Sequence, residues 1–281
     1  MKGLLGLGLC LCLTILAAVS SAYEPGTHDQ LARRAASVSA LDTILEQDLL
    51  LPRGLEAILA GSPVLRLIGE GAALEDDPNL RSLNHFHNPL LPWRDAGLSV
   101  GYGLVARASS SVLWQQTLGQ DATSVRIALL PWRVGGGDWS WQDTRRRYLD
   151  ALTGTNRAGR LNSLPSGREQ TLAEVFLGLG HLVHLIQDAT VPAHVRNDAH
   201  PDFLPFQEDG YEKWAERTRV ARPLEFGALL ALDPVRPPAS IFTETKNSDA
   251  PVPITRLIDT DRFDRLSFGL LTDTKAASGN K

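Results

Sequence analysis

Residues 177–198, LGLGHLVHLIQDATVPAHVRND, carry three of the seven histidines of the chain in 22 residues, and His200 follows two residues later. Apolar positions upstream recur at helical spacing, so a helix is expected over 168–188. It sets His184 and Asp188 four apart on one face, with His181 one turn earlier. Pro192 stops such a helix, and the following turn can carry His194 back toward that face. Imidazole and carboxylate at this spacing are the donor set of a first-row metal, zinc above all.

The remaining histidines reinforce this reading. His28, His85 and His87 complete the set of seven, and none falls in 88–180 or after 200. One histidine alone is usually a packing residue, but clusters with carboxylates nearby point to coordination. Two or three ions bound by nitrogen and oxygen can lower the pKa of water and clamp the oxygens of a displacement at phosphorus. No H-E-x-x-H is present, which counts against the commonest metalloprotease arrangement.

Composition bounds the rest. The 281 residues are 43% hydrophobic and 21% charged, enough for a real core, and the net charge of −4 provides no basic footprint for duplex nucleic acid. Lys2, the apolar run 4–19 and the small residues Ser20-Ser21-Ala22 read as an export signal over 1–22, too short for a membrane span. Cleavage after Ala22 makes Tyr23 the first residue of a protein destined for the periplasm or the medium. Both cysteines, Cys10 and Cys12, leave with the signal, so a metal must use nitrogen and oxygen ligands.

The expected fold class is all-α, a single helical domain over 23–222 with no transmembrane span. Thr27 is the expected cap of the first helix, with Leu31, Ala35 and Val38 on its buried face. Further helices are expected over 41–50, 52–60, 63–73, 141–153 and 212–220. The run Arg145-Arg146-Arg147 reads as a solvated face. Residues 223–281 form a Pro-rich extension in which a long helix is excluded, with a polar, disordered end.

In chain order these residues resemble the superfamily of bacterial zinc-dependent phospholipases C and single-strand-specific zinc nucleases. His184, Asp188 and His194, with Pro192 between, carry the most specific part of the likeness. The HFHNP run resembles the family's His-Phe-Tyr-Asp-Pro and makes His85 a ligand and His87 a non-ligand. An upstream acid is required, and Asp76 is the choice, with Glu75 and Asp77 as alternatives. The resemblance implies that the amine and carbonyl of Tyr23, together with His28, hold a further ion. It departs from the family near Glu212, where the histidine expected four residues earlier is Glu208, leaving His200 to complete the site of His194 and Glu212.

The resemblance implies a monomeric helical domain with a zinc cluster at the base of a cleft. Asp188 bridges ions in it, Asp76 is also the general base, and His181 and Glu75 stand behind the ligands. The expected activity is phosphodiester hydrolysis of phospholipase C type at a membrane surface. The alternatives are a single-strand nuclease, with Trp132, Trp139, Trp141 and Phe203 as base platforms, and a zinc-stabilised exported binding protein without catalysis. For a lipid substrate, Phe203, Leu204 and Phe206 are the apolar residues beside the cleft.

Overall fold

Gly178 and Gly180 lie two residues apart on the longest helix and face two different neighbours. A Cβ on Gly180 would stand 2.2 Å from the Ile68 carbonyl oxygen, and one on Gly178 would stand 2.5 Å from Thr144 Oγ1. The computed structural model describes residues 24–232 except 102, 121–122, 136, 156–164 and 200–209. Tyr23, His200, Phe203, Leu204 and Phe206, the expected signal 1–22 and the tail from 233 lie outside the described residues.

Helices α1 (Pro25–Val38) and α2 (Leu41–Gln47) are followed by a 3-10 turn, Gly54–Glu56, and a two-stranded hairpin, β1 (Ile58–Leu59) and β2 (Ser62–Pro63). Helix α3 (Val64–Leu74) leads to a second 3-10 segment, Asn79–Asn84. Next come β3 (Ser99–Val100), β4 (Ala106–Ala108), α4 (Ser111–Gln116), β5 (Thr123–Ile127) and β6 (Leu130–Arg133). Helices α5 (Trp141–Thr153), α6 (Pro165–Asp188), α7 (Pro192–Arg196), α8 (Gly210–Ala221) and α9 (Pro223–Leu230) complete the order.

Helix α6 is buried on two sides. Its Gly180 rides against Ile68 and Ala72 of α3, and Gly71 of α3 meets the Leu177 backbone in return. Gly178 faces α5. A first core joins α1, α3 and α6 through Ala32, Ala36, Leu67, Ile68, Ala72, Ala173 and Phe176. Only glycine lets two helix backbones approach this closely, and the approach sets the end of α3 against the last two turns of α6.

The chain is mostly helical, not all-α. Strands β3 to β6 form an antiparallel meander in sequence order, with Ser99 opposite Arg107, Ala108 opposite Val125 and Ile127 opposite Leu130. Val125 and Ile127 turn inward onto Leu83, Phe86, Trp114 and Leu185, so the sheet backs the segment that carries His85. These strands run two to five residues, too short to show a period of two in the sequence.

Local corrections have local causes. The helix expected over 52–60 is a 3-10 turn and a hairpin, because Ala60 and Gly61 take φ of +49° and +85° at the tip. The first helix begins at Pro25, a residue suited to a first turn, and Glu24 takes the cap position without a side-chain bond. Thr27 is instead buried, accepting a hydrogen bond from Arg219 Nε of α8 at 3.0 Å. Ala32 and Ala36 form the buried stripe of α1, while Val38 is exposed and Leu31 packs on Val191 and Ala215.

Within the arginine run, Arg147 is buried on Trp139 and paired with Glu174 at 3.2 Å, and only Arg145 and Arg146 are solvated. Helix α6 ends at Asp188, and Pro192 starts α7 rather than stopping α6. Helix α9 begins just past the boundary expected at 222, with Pro223 in its first turn and Phe226 buried. Among the described residues, no helix is long and apolar enough to cross a membrane.

Candidate metal centre

Six segments deliver side chains to one buried point. His28 comes from α1, Asp76 from the end of α3 and His85 from the turn after Asn84. His184 and Asp188 come from the last turns of α6, His194 from α7 and Glu212 from the first turn of α8. All are buried, and Asp76 has the most exposed side chain of the group at 12%.

Asp188 is the centre. Its Oδ2 lies 2.8 Å from His85 Nδ1 and 3.2 Å from His184 Nε2, while Oδ1 lies 3.5 Å from His28 Nε2. Asp76 Oδ1 is 3.4 Å from His85 Nδ1, and its Oδ2 is 3.8 Å from His184 Nε2. His194 turns its Nε2 away, to Glu212 Oε1 at 3.4 Å. The groups His28, Asp76, His184 and His85, His184, Asp188 each bring three ligand atoms within 4.8 Å of one another. These buried groups can hold a metal ion.

The hydrogen bonds around the cluster fit coordination. His184 Nδ1 donates to the Ala72 carbonyl at 2.6 Å, His28 Nδ1 to Gln187 Oε1 at 2.5 Å, and His194 Nδ1 to the His85 carbonyl at 3.2 Å. Each bond puts the proton on Nδ1 and leaves the Nε2 lone pair facing the carboxylates. Both oxygens of Asp76 and both of Asp188 are buried and accept no hydrogen bond. Four carboxylate oxygens crowded in a core are costly unless protonated imidazoles or a bound cation balance them.

The three acidic candidates after α3 separate cleanly. Asp76 turns into the cluster and Asp77 is exposed. Glu75 points the other way, accepting from Arg81 Nη2 at 2.7 and 2.8 Å, Trp114 Nε1 at 2.9 Å and His181 Nδ1 at 2.6 Å. His181 thus stands behind the cluster with its ring stacked on Trp139. His87 is buried and belongs to neither ligand group; its backbone N–H donates to the His194 carbonyl at 3.0 Å, which ties α7 to the His85 segment. Gln187, Arg81 and the Ala72 carbonyl had no place in the sequence reading. Only Gln187 left a trace, as a polar residue one turn after His184.

The electrostatics follow from burial and crowded carboxylates. Burial lowers His85, but Asp188, Glu75 and Asp76 more than reverse this and raise it to about 10. Burial likewise lowers His184, and Asp188 and Asp76 lift it above its ordinary value. His28 falls well below the usual histidine range through burial and the stacked His184. Burial raises Asp188, but His184 and His194 hold it well below the usual carboxylate range. Burial raises Asp76 despite His184 and His85.

The carboxylates therefore draw positive charge onto His85 and His184, and a cation must displace those protons. Metal affinity is expected to rise with pH from about 6.5 to about 10, by up to roughly tenfold per unit for each proton displaced. The stability of the chelated protein should move oppositely. His85 is raised in the folded state, so its contribution is complete below the unfolded value and fades as pH climbs toward 10. Chelator competition and thermal melts at stepped pH check both; a pH-independent affinity would contradict proton displacement.

No protein-family model matches the chain, and no curated protein and no solved structure shows significant similarity to it.

Proposed function

We propose that this chain is an exported zinc-dependent phosphodiester hydrolase of phospholipase C type. The observation that carries the reading is the arrangement of Asp188, with imidazoles gathered at both carboxylate oxygens and the unbonded carboxylate of Asp76 beside it. His28, Asp76, His85, His184 and Asp188 would hold the zinc of the first positions, and His194 with Glu212 would share a further one. Zinc in such sites activates water and neutralises charge that builds on phosphorus.

The protein's own residues would then do the following. Asp76 takes the proton of the attacking water: its oxygens accept no hydrogen bond, its side chain is the least enclosed of the group, and its raised proton affinity makes it a better base. Ala72, Gln187 and the His85 carbonyl keep three imidazoles in one tautomer. A cavity of about 520 Å³ is lined by Asp77, Pro78, Leu80, Arg133 and Gly135, and none of the cluster side chains is among that lining.

Two features favour lipid. Leu224, Leu229 and Leu232 are exposed just beyond the helix that bears Glu212, as a peripheral membrane contact requires. Trp139, one of the expected base platforms, already stacks on His181 and carries Arg147 over its ring. Trp132 and Trp141 are exposed and support the nuclease alternative.

The test is to count metals in the purified protein and offer phosphatidylcholine vesicles, single-stranded DNA and an aryl phosphodiester. Chelator-sensitive release of phosphocholine is expected. Cleavage of DNA alone would move the assignment to the nuclease. Zinc uptake without turnover of any of the three would leave a zinc-stabilised binding protein.

A further inference from the structure

His85 is oriented oppositely to the other imidazoles of the cluster. His28, His184 and His194 commit Nδ1 to neutral carbonyl-type oxygens. His85 turns Nδ1 inward, to Asp188 at 2.8 Å and Asp76 at 3.4 Å. Its Nε2 is buried without a hydrogen bond and faces Glu75 Oε1 across 3.8 Å. Two consecutive carboxylates therefore bracket one ring, Asp76 on the ligand side and Glu75 behind.

Glu75 is fixed with unusual thoroughness. Its side chain is fully buried and receives Arg81, Trp114 and His181, while Arg81 Nε also donates to the Glu75 carbonyl at 2.9 Å. Arg81 is held in turn by Gln120 at 2.9 Å and by the Trp114 ring. A buried pair of this kind is seldom a net source of stability. A carboxylate behind a metal-binding imidazole, by contrast, fixes the ring, selects its tautomer and strengthens it as a donor.

We propose that Glu75 is a positioning residue that selects Nδ1 of His85 as the ligating nitrogen and makes His85 the strongest imidazole donor of the cluster. With Nδ1 ligating, the ring proton must reside on Nε2, where Glu75 supplies the only facing charge among the described contacts. His28 and His184 bond Nδ1 to neutral oxygens, and the one carboxylate near Nδ1 of His194 among the described contacts is Asp188, itself a ligand candidate, at 3.9 Å. This rests on the metal-centre reading and not on the identity of the substrate.

The experiment uses the full chain titrated with zinc against a competing chelator, with the ring ¹⁵N signals of His85 recorded alongside. Glu75→Gln leaves Arg81 buried and unpaired, so it is combined with Arg81→Gln to keep the core neutral. The double variant is expected to bind zinc about 10- to 100-fold more weakly, with the His85 signals no longer those of a single Nδ1-ligated form. Glu75→Asp keeps the charge, draws it back from the ring and should weaken binding by a smaller factor. Trp114→Phe removes one donor to Glu75 but leaves its charge, and should lower the melting temperature without altering zinc affinity. Wild-type affinity and unchanged His85 signals in the folded double variant or in Glu75→Asp would overturn the proposal alone. Failure of the wild-type chain to take up zinc would overturn the metal centre and this inference together.

Discussion

Asp188→Asn is expected to abolish the zinc-dependent rise in melting temperature and to weaken zinc binding by more than about a hundredfold. Asparagine preserves the shape of the side chain and removes its charge. It also brings an NH₂ group to a point where three imidazole nitrogens lie within 3.5 Å of the carboxylate. Removing one member of a buried charged group typically costs about 3–5 kcal/mol, the equivalent of roughly two to four powers of ten in affinity. Without metal the variant should also be less stable near neutral pH, because the wild-type carboxylate is held well below its ordinary range there. Melting curves with zinc and with chelator separate the two effects. A variant that still gains stability from zinc as the wild type does would show that Asp188 is not the hub.

Gly180→Ala is expected to cost about 3 kcal/mol or more and to lower the melting temperature by roughly 6–12 °C, although alanine is the better helix former. The new methyl would sit 2.2 Å from the Ile68 oxygen, 2.7 Å from the Ala72 nitrogen and 2.8 Å from the Gly71 Cα, all backbone atoms that cannot rotate aside. Helix α3 would have to retreat by roughly 1 Å to restore ordinary contact. Its retreat would carry the Ala72 carbonyl away from His184 and Asp76 away from the cluster, so zinc affinity should fall with stability. Gly227→Ala is the matched control: nothing lies within 4 Å of the added carbon, and a gain of up to about 1 kcal/mol is expected. Differential scanning measurements on both variants, with and without zinc, decide the matter.

Much of the cluster could be anticipated because coordination needs particular side chains, and histidine is scarce enough for its distribution to carry information. His184 and Asp188 share a helical face by simple periodicity, and His85 stands out beside its asparagines and proline. The choice of Asp76 over Glu75 could not be made from residue type, because adjacent carboxylates differ only in where the end of a helix points them. The meander escaped detection for a different reason. Strands of two to five residues are stabilised by their cross-strand and core neighbours, and their own pattern is too brief to read. Gly71, Gly178 and Gly180 look like weak helix residues by propensity, and only the helix–helix approach explains them. Helix α9 was hidden by the density of proline, which excludes a helix interior but suits its first turn.

The two cysteines of the chain lie at positions 10 and 12, so nothing later in the sequence can be joined by a disulfide. The ligand cluster nevertheless connects positions as distant as His28 and Glu212. An ion bound there acts as a reversible crosslink: it closes several long loops at once, and the closure entropy forfeited on folding is repaid by coordination. A sulfur bridge contributes a fixed amount. This fastening strengthens with the logarithm of the free ion concentration. The fold's lifetime is therefore expected to report the metal content of its surroundings, and chelation should convert a protease-resistant protein into a susceptible one without breaking a covalent bond.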